Sequence, residues 1–377
     1  MKSKRKVCIF CDVWESGGIE SFLSNILRYM DLSHLDVDIV AITIGESIFT
    51  ADLKGRGINF VQLSGTQRCF YRNFFQFQNL LQERNYDVAH FNLFHGFSLL
   101  YVRIAERAGI PIRIAHSHNV DLRKSFGKPL KMFLHWIGKA CYTRSATELW
   151  ACSQDAARFL FFRSSLKRKG FRFIPNAIET ERFRFDMAQR VAVREELGVA
   201  GAFIIGNVGR LCYQKNQMFL LKVLKEILQR RPESKLLLIG TGEYEVRLKK
   251  ESSVLGISDH VIFYGSSNHV ERLLWAMDVF ALPSRFEGFG IVAIEAQAAG
   301  LPTFCATSVP DETIVTNLAH RIPTTAYHDV CAWASALSEK CAASTRNRTP
   351  YADKVSDDGY DAKSLAQKIE KEYMGSR

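Results

Sequence analysis

Residues 283–302 read PSRFEGFGIVAIEAQAAGLP and contain two glutamates, Glu287 and Glu295, separated by seven residues. Glu287 lies in a segment interrupted by glycines, which predicts a loop, whereas Glu295 lies within the apolar run 290–299, which predicts a helix. A carboxylate among Ile, Val and Ala side chains is unfavourable unless it has a partner. A solvent-facing amphipathic helix does not explain Glu295, whereas a ribose diol that donates two hydrogen bonds to a carboxylate does.

Short apolar strands alternate with helical segments on both sides of this stretch, in two series. The predicted strands are 7–12, 37–44, 58–63, 87–91, 113–118, 148–152 and 171–174, then 202–208, 235–239, 261–264, 279–282 and 303–306. This alternation predicts parallel sheets covered by helices on both faces. We therefore expect an α/β protein with two Rossmann-like domains, 1–185 and 186–360, that face each other across a cleft. A last amphipathic helix follows in the segment 361–377.

Two basic residues lie at a strand end of the second series, where such sheets bind their ligands. Arg210 follows a predicted strand and Lys215 lies where the next helix should begin. An arginine can bind a diphosphate through two N–H groups and a lysine can bind it as a point charge. The pattern favours a diphosphate site over an ordinary basic loop.

Two features of the first series also lie at strand ends. Gly17 and Gly18 precede a helix whose N-terminus favours negative charge, and Glu20 lies in its first turn. A simple turn in which Glu20 complements the helix dipole gives the same pattern. His116 and His118 end another strand and lie on one of its faces, because they are two residues apart. Two histidines without a carboxylate cluster are too few for a metal site.

These segments together carry a family resemblance. The run from Glu287 to Pro302 resembles the E-x7-E signature of glycosyltransferase family 4, whose two-domain fold is called GT-B. Four further segments resemble motifs of that family in the expected order: 17–20 (GGIE), 174–178 (IPNAI), 209–216 (GR…KN) and 238–243 (LIGTGE). Five ordered motifs are more specific than any single one. The loop 307–312 (TSVPDE) resembles the branch of bacterial capsule and exopolysaccharide transferases.

The resemblance implies retaining, metal-independent transfer of a hexosyl or N-acetylhexosaminyl group. The donor would be a nucleotide diphosphate sugar, with UDP-sugars favoured and GDP-sugars as the alternative, and no further cofactor would be needed. The acceptor would be a lipid-linked molecule or a saccharide in bacterial surface polysaccharide synthesis. The second domain would bind the donor and the first the acceptor, and the helix 361–377 would cross back to the first domain.

The resemblance also implies roles for individual residues. Glu295 would hold the ribose, and Arg210 and Lys215 would neutralise the diphosphate. Glu287 would contact the transferred sugar. His118 would be the catalytic residue of the first domain. The remaining donor-binding positions are Gly17, Gly18, Gly288, Phe289 and Gly290, and the reserve candidates are His116, Asn176 and Glu20.

The excess positive charge of the chain lies in its first half. The net charge is +11, and residues 1–185 carry 27 Lys and Arg against 16 Asp and Glu. Much of the excess lies between Arg103 and Arg184, interleaved with aromatic residues, as in Arg123-Lys124, Lys128, Lys131, Phe133, Trp136, Lys139, Phe159–Phe162 and Lys167-Arg168-Lys169. Such a surface is either simply solvated or attracted to an anionic membrane. No nucleic-acid-binding module is recognisable.

The apolar runs are too short to cross a bilayer, and the basic N-terminus lacks the apolar segment of a signal peptide. We therefore expect a cytoplasmic protein, in peripheral contact with the inner face of the membrane if the basic surface binds lipid. Cys8 and Cys11 form a CxxC within the first predicted strand, where residues three apart point to opposite faces. They are predicted to be small buried residues.

Two other functions fit the same fold. A nucleotide-sugar epimerase or hydrolase would share the architecture but lacks the E-x7-E pattern found here. A non-catalytic sugar-nucleotide-binding protein would show decay at Glu287, Glu295, Arg210 or Lys215, and all four are intact. A dehydrogenase would need Gly-x-Gly-x-x-Gly after the first strand, and residues 15–20 do not supply that spacing.

Overall fold

A computed structural model describes residues 4–66, 69–121, 128–168, 171–339 and 347–375. The chain divides into two compact units, Met1–Ala177 with Ala362–Arg377, and Ile178–Asp361. The division falls at residue 177, earlier than the predicted 185, because the residues after 177 already contact the second unit: the Ile178 N–H donates to the carbonyl of Tyr360, and Arg182 forms an ion pair with Glu271. Each unit is described separately below.

The first unit contains a parallel sheet. Its strands are β1 (Arg5–Trp14), β2 (Leu35–Ile44), β3 (Asn59–Gln62), β4 (Val88–Leu93), β5 (Ile112–Ser117), β6 (Glu148–Ala151) and β7 (Phe171–Phe173). These seven strands of the described residues lie in the order β3–β2–β1–β4–β5–β6–β7, and every neighbouring pair is parallel. The helices between them are α1 (Gly18–Tyr29), α2 (Thr50–Gly55), α3 (Phe70–Arg84), α4 (Leu99–Arg107), α5 (Lys128–Tyr142), α6 (Gln154–Leu160) and α7 (Arg163–Leu166).

Two apolar cores cover the faces of this sheet. Successive strand residues point to opposite faces, so β1 contributes Val7, Ile9 and Cys11 to one core and Cys8 and Phe10 to the other. Both cysteines are fully buried, and burial raises their thiol pKa. The CxxC is therefore part of the core, as the strand pattern predicted.

The second unit repeats the design. Its strands are β8 (Phe203–Val208), β9 (Ser234–Ile239), β10 (Val261–Gly265), β11 (Val279–Leu282), β12 (Thr303–Ala306) and β13 (Ala319–Ile322). These six strands of the described ranges lie in the order β10–β9–β8–β11–β12–β13 and are parallel throughout. The helices are α8 (Met187–Glu196), α9 (Gln217–Leu228), α10 (Glu245–Val254), α11 (Val270–Ala276), α12 (Ile291–Ala298), α13 (Tyr327–Glu339) and α14 (Tyr351–Val355), which a π-turn, Ser356–Tyr360, extends.

The last helix, α15 (Ala362–Met374), returns to the first unit. Leu365, Ile369 and Tyr373 form its buried stripe in the same core as α1 and β1. The prediction that the C-terminal helix crosses back to the first domain is therefore confirmed. The predicted strands match the observed ones within two residues at each end. The edge strand β13 was not predicted, because it is only partly buried and carries no apolar run.

The order of the strands places a crevice in each unit. In both sheets the chain winds outward in one direction and then reverses, between β1 and β4 in the first unit and between β8 and β11 in the second. The loops that leave two such strands diverge to opposite faces, which opens a ligand crevice at their carboxyl ends. Most of the predicted site residues follow β1, β8 and β11, and His118 follows β5.

Candidate active site

Two loops meet at the crevice of the second unit. Residues 209–216 follow β8, and residues 283–290 follow the neighbouring strand β11. The backbone N–H of Arg285 donates to the carbonyl of Gln214 (2.8 Å), and the side-chain amide of Gln214 donates to the carbonyl of Phe286 (3.0 Å). The side-chain amide of Asn216 donates to the carbonyl of Pro283 (3.1 Å). These contacts join the two loops into one backbone unit, which holds their side chains in fixed relative positions.

Lys215 and Glu287, both predicted as site residues, contact each other directly. Lys215 Nζ lies 2.7 Å from Glu287 Oε1, and the hydroxyl of Ser284 donates to the same oxygen at 2.6 Å. The Glu287 side chain is 7% exposed and that of Lys215 is 17% exposed. A buried carboxylate is tolerated when it is paired and hydrogen-bonded in this way. The pair forms a polar centre at the junction of the two loops.

Arg210 presents a second cation at the same loop. Its side chain is exposed, and among the described residues its guanidinium has neither a hydrogen-bond nor an ion-pair partner. Its backbone is held, because the carbonyl accepts a hydrogen bond from the side chain of Gln217 (3.0 Å). The following helix, α9, begins after Asn216 without a side-chain cap, so its first N–H groups add positive potential. The geometry is suited to an anionic group.

Glu295 lies on α12 with a half-buried side chain, as the sequence predicted. No hydrogen-bond partner of its carboxyl group is recorded within the described parts of the chain. Burial raises the pKa of Glu295 to about 7, an effect that Glu271 reinforces and the cations of Arg182 and Lys215 oppose. Hydrogen bonds donated by a ligand would stabilise the ionised form of such a carboxyl group.

The glycine-rich segment before α12 has two roles in the fold. Gly290 adopts φ 91° at the N-cap of α12, a conformation that glycine tolerates best. The side chain of Phe289 is 2% exposed and lies against Tyr360, with ring centroids 6.0 Å apart. Phe289 can therefore offer only backbone atoms to a ligand, whereas Gly288 lies partly exposed between it and Glu287.

In the first unit, the loop of Gly17 and Gly18 is already occupied by a carboxylate. Glu20 is 5% exposed and accepts a hydrogen bond from the backbone N–H of Glu15 (3.1 Å). Burial raises the pKa of Glu20, and hydrogen bonds from the backbone of Glu20 itself, Glu15 and Gly17 oppose that effect. Glu20 thus caps the start of α1 in the manner of the glutamate in a capping box. The donors expected to meet a ligand are used to order the loop.

His118 follows β5 and belongs to a buried polar cluster. Its Nε2 lies 2.9 Å from Asn92 Oδ1, and its ring centroid lies 3.9 Å from that of His116. His116 Nδ1 lies 3.1 Å from His90 Nε2, and His90 Nδ1 lies 2.6 Å from the hydroxyl of Tyr373 on α15. Burial lowers the pKa of His90 and of His118 to about 3 and also lowers the pKa of His116, so all three are neutral at pH 7.

Sequence reasoning missed His90 and Asn92 as members of this cluster. A signal was present, because His90 and Asn92 are two residues apart on β4 and therefore share a face, as His116 and His118 do. The pairing of β4 with β5, which places Asn92 opposite His116, became visible only in the fold. The reserve residue Asn176 is 6% exposed and interacts with His118, whose pKa it raises slightly against the effect of burial.

The basic, aromatic stretch is partly used for internal structure. Lys139 Nζ donates to the carbonyls of Arg158 and Phe159, and Arg168 donates to those of Thr143 and Ala146. Within Phe159–Phe162, Leu160 and Phe161 are core residues. Arg123, Lys124, Lys169 and the side chain of Lys128 lie outside the described residues.

Other side chains of the stretch, and of a helix that the sequence analysis did not single out, face solvent. Exposed apolar side chains occur on α3 (Phe70, Tyr71, Phe75) and on α5 (Leu130, Met132, Phe133, Trp136). Phe97, two residues before α4, contacts Phe70, and the neighbouring Gly96 packs against Gly138 of α5. Except for Trp136, which lies just past the middle of α5, the exposed side chains occupy the N-terminal halves of both helices, so they lie towards the carboxyl edge of the parallel sheet.

No group of three or more His, Cys, Asp or Glu side chains that could hold a metal ion occurs in the described ranges. A search of the same residues finds no helix with the length and apolarity that crossing a bilayer requires.

Comparison with known proteins matches both units of the chain to glycosyltransferase profiles. Residues 16–182 match the profile described as Glycosyltransferase Family 4, and residues 191–341 match Glycosyl transferases group 1. The putative glycosyltransferase EpsF of Bacillus subtilis (strain 168) is 28% identical over 373 residues, which cover 96% of this chain and 94% of EpsF. An Escherichia coli UDP-Gal:alpha-D-GlcNAc-diphosphoundecaprenol alpha-1,3-galactosyltransferase is 26% identical over 63% of this chain and 62% of its own length.

Solved structures show the same architecture. The Anabaena protein HepE in complex with UDP-glucose has a TM-score of 0.79 and 20% identity, over 99% of this chain and all of HepE. WaaG, a glycosyltransferase involved in lipopolysaccharide biosynthesis, has a TM-score of 0.72 and 18% identity, over 98% of this chain and all of WaaG. The two profile matches, together with this fold, show a glycosyltransferase of the GT-B class. The chain belongs to glycosyltransferase family 4.

Proposed function

We propose that this glycosyltransferase moves a hexosyl or N-acetylhexosaminyl group from a UDP-sugar to a lipid-linked or saccharide acceptor, with retention of the anomeric configuration and without a metal ion. The observation that supports it best is the set of polar groups at the crevice of the second unit. Two cations and two carboxylates, Arg210, Lys215, Glu287 and Glu295, lie on loops or helices that leave the neighbouring strands β8 and β11. The product would enter a bacterial surface polysaccharide, such as capsule or exopolysaccharide.

The donor would be held by its charge and by its hydroxyl groups. Arg210 and Lys215 neutralise the diphosphate, which stabilises the leaving group as the bond between the anomeric carbon and the phosphate oxygen breaks. The carboxyl group of Glu295, which has no partner in the described part of the chain, accepts hydrogen bonds from the ribose, and these donors stabilise its ionised form. Glu287, fixed by Lys215 and Ser284, accepts from hydroxyls of the transferred sugar.

The acceptor oxygen would attack the anomeric carbon from the side that the diphosphate leaves, which retains the configuration. In this scheme the proton of the acceptor hydroxyl passes to the departing phosphate oxygen. His118 is neutral, and its hydrogen bond to Asn92 Oδ1 leaves Nδ1 as an acceptor for a substrate hydroxyl. We assign it to positioning a substrate at the reacting centre.

The names of similar proteins support UDP as the nucleotide of the donor and keep GDP as the alternative. HepE has been solved with UDP and with UDP-glucose, and the E. coli relative is named as a UDP-galactose enzyme. A relative from Mycolicibacterium smegmatis, 28% identical over 54% of this chain and 54% of its own length, is named as GDP-mannose-dependent. A binding comparison between the two bases decides between them.

Contact with a membrane is the second part of the proposal. The exposed apolar side chains of α3 and α5 lie in the unit that carries the positive charge of the chain, and Lys131, Arg163 and Lys167 are exposed there. Aromatic side chains beside cationic ones suit the interface of an anionic membrane. This surface would bring the first unit to an acceptor that is anchored in lipid.

The deciding experiment is a thermal-shift screen without metal against UDP, GDP, ADP and their sugar conjugates. A ligand that binds only the native state raises the melting temperature. We expect UDP-sugars to give the largest shift and the Arg210→Gln variant to lose it. A shift with GDP-sugars alone would show that the donor is a GDP-sugar. The absence of a shift with any nucleotide would contradict the assignment of the site.

Product analysis then separates transfer from the competing activities. With donor and a lipid-linked or saccharide acceptor, NMR of the product should show the anomeric configuration of the donor in the presence of EDTA. Release of free sugar without acceptor would indicate a hydrolase, and conversion of the donor into another sugar nucleotide would indicate an epimerase. Binding without any turnover would indicate a non-catalytic protein.

A further inference from the structure

A buried chain of polar side chains joins the C-terminal helix to His118. It runs from the hydroxyl of Tyr373 to His90 Nδ1 (2.6 Å) and from His90 Nε2 to His116 Nδ1 (3.1 Å), and it ends in the contact between the rings of His116 and His118. Tyr373, His90 and His116 are all fully buried. The function proposed above gives no task to Tyr373 or His90.

The hydrogen positions in this chain follow from the available acceptors. Burial raises the pKa of the Tyr373 phenol, so its hydroxyl keeps its proton, and His90 Nδ1 is the partner recorded for it among the described residues. The distance of 2.6 Å between the two atoms is shorter than the usual range of about 2.7–3.2 Å for an N–H donor and is typical of an O–H donor. Tyr373 therefore donates to His90 Nδ1, and the neutral His90 carries its proton on Nε2.

The position of the proton on His90 in turn determines the tautomer of His116. Because His90 Nε2 carries the proton, it donates to His116 Nδ1, and His116 in turn carries its proton on Nε2. The amide nitrogen of Asn92 faces the carbonyl of Phe10 (3.4 Å), so its oxygen accepts from His118 Nε2. Among the described residues, neither the lone pair of His118 Nδ1 nor the N–H of His116 Nε2 has a hydrogen-bond partner.

Phe22 of α1 encloses the last two rings. Its ring centroid lies 5.4 Å from that of His116 and 5.3 Å from that of His118. His116 thus forms one wall of the space that holds the His118 ring, and a rotation of His116 would move that wall. The hydrogen bond from His90 prevents such a rotation, because it fixes one edge of the His116 ring.

We propose that Tyr373 is a positioning residue for His118: its hydroxyl sets the tautomers of His90 and His116, and the fixed His116 ring holds the imidazole of His118 in place. The proposal rests on the proposed function only where it predicts an effect on turnover. The tautomers themselves are a property of the folded chain and are measurable without substrate.

The first test is long-range ¹H–¹⁵N NMR of protein labelled in histidine, which distinguishes Nδ1–H from Nε2–H tautomers. Signals are assigned with the single variants His90→Gln, His116→Gln and His118→Gln. In the wild type we expect all three residues as Nε2–H tautomers. A wild-type His90 with its proton on Nδ1 would overturn the proposal by itself, even if no variant of Tyr373 could be purified.

The second test is the variant Tyr373→Phe, which keeps the ring and removes the hydroxyl. We expect mixed tautomers at His90 and His116, a kcat about tenfold lower because His118 is misplaced, and a donor KM within about twofold of wild type. The matched control is Tyr101→Phe, because the buried hydroxyl of Tyr101 in the same unit has no hydrogen-bond partner within the described ranges. It should leave both the tautomers and kcat unchanged.

The outcomes separate this proposal from the proposed function. Unchanged tautomers in Tyr373→Phe, or altered tautomers with full kcat, would refute the positioning role. A wild-type protein that shows the expected tautomers but transfers no sugar would contradict the proposed function, while the assignment of hydrogen positions by Tyr373 would stand.

Discussion

Lys215 Nζ lies 2.7 Å from Glu287 Oε1, although the two residues are 72 positions apart in the sequence. Lys215 precedes α9 and Glu287 precedes α12, so the contact joins the two loops that leave the adjacent strands β8 and β11. Glu287 screens the ammonium group before a donor binds, and the exposed Arg210 is the cation that remains unpaired there among the described residues. Lys215 and Arg210 therefore differ in pairing and burial, and their substitution should have different effects.

Breaking the ion pair should destabilise the second unit. Lys215→Met leaves Glu287 buried with Ser284 as its remaining partner, and we expect a loss of about 2–4 kcal/mol in the free energy of unfolding. Lys215→Met combined with Glu287→Gln should recover most of that loss, since no buried charge remains. Urea denaturation of the two single variants and the double variant measures the coupling. Strictly additive effects would show that the two side chains do not interact in solution.

Arg210 should affect binding and leave stability unchanged. Arg210→Gln removes an exposed, unpaired guanidinium, so the free energy of unfolding should stay within about 0.5 kcal/mol of wild type. The affinity for UDP should fall by about 10- to 100-fold, because a charged hydrogen bond to phosphate is lost. Calorimetric titration with UDP and with uridine tests this, and uridine binding should not change. Lys250→Gln, an exposed position on α10, is the charge-matched control; an equal loss there would point to long-range charge alone.

Glu295 should make stability depend on pH. Burial raises its pKa from 4.5 to about 7, so the folded state favours the protonated form. The stabilisation is complete below the unfolded pKa and is lost as the pH rises towards 7, by an amount on the order of 2 kcal/mol. Urea unfolding at pH 5 and pH 8 should therefore show a decrease in wild type that is absent in Glu295→Gln. A parallel decrease in both proteins would assign the slope to other groups.

Glu295 should also connect pH with donor binding. The ionised carboxylate accepts hydrogen bonds from a ribose diol, so the donor KM should fall as the pH rises through about 7. Glu295→Gln should raise the donor KM and remove this dependence. Steady-state kinetics with the donor and with its 2′-deoxyribose analogue check the assignment, since the analogue should bind weakly and with little pH dependence. Equal pH profiles for the two donors would place the ribose elsewhere.

His116 at the end of β5 and His118 just after it should differ in their roles. His118→Ala should lower kcat by about 100-fold, because a group that positions the substrate is lost. His116→Ala removes a fully buried ring that is hydrogen-bonded to His90 and should lower the unfolding free energy by about 2–3 kcal/mol. Steady-state kinetics and urea unfolding of both variants separate the roles. Full turnover in His118→Ala would move the assignment to His116 or remove it from the pair.

The exposed aromatic side chains of α5 should bind lipid. Phe133 and Trp136 are 61% and 59% exposed, so replacing both by Ser should not unfold the protein. Association with vesicles that contain phosphatidylglycerol should weaken by at least about tenfold, because the apolar surface that enters the interface is removed. The matched control is Val246→Ser with Val254→Ser, two exposed positions on α10 of the second unit. Co-sedimentation measures both, and equal binding by all three proteins would exclude a role for α5.

Local patterns in the sequence were sufficient to identify the strands and several site residues. Strand length, burial and helical periodicity are set by neighbouring residues, so β1–β12 and the apolar surroundings of Glu295 were predicted within narrow bounds. Residues that follow a strand, such as Arg210 and Lys215, could be placed at a carboxyl edge because every parallel sheet has its ligand crevice there. The domain boundary was less well defined, since residues 174–177 belong to the first core only through distant contacts.

The sequence by itself determined the two doubly wound sheets and the residue types available for donor binding, because both depend on periodicity and on motifs of adjacent residues. The tertiary structure alone decided that Lys215 pairs with Glu287 and that Tyr373 reaches His90 across 283 positions of sequence. Such contacts depend on strand order, on strand register and on how a loop or helix packs. Strand order, register and packing are determined when a whole unit folds, so they cannot be predicted from the sequence around any one of these residues.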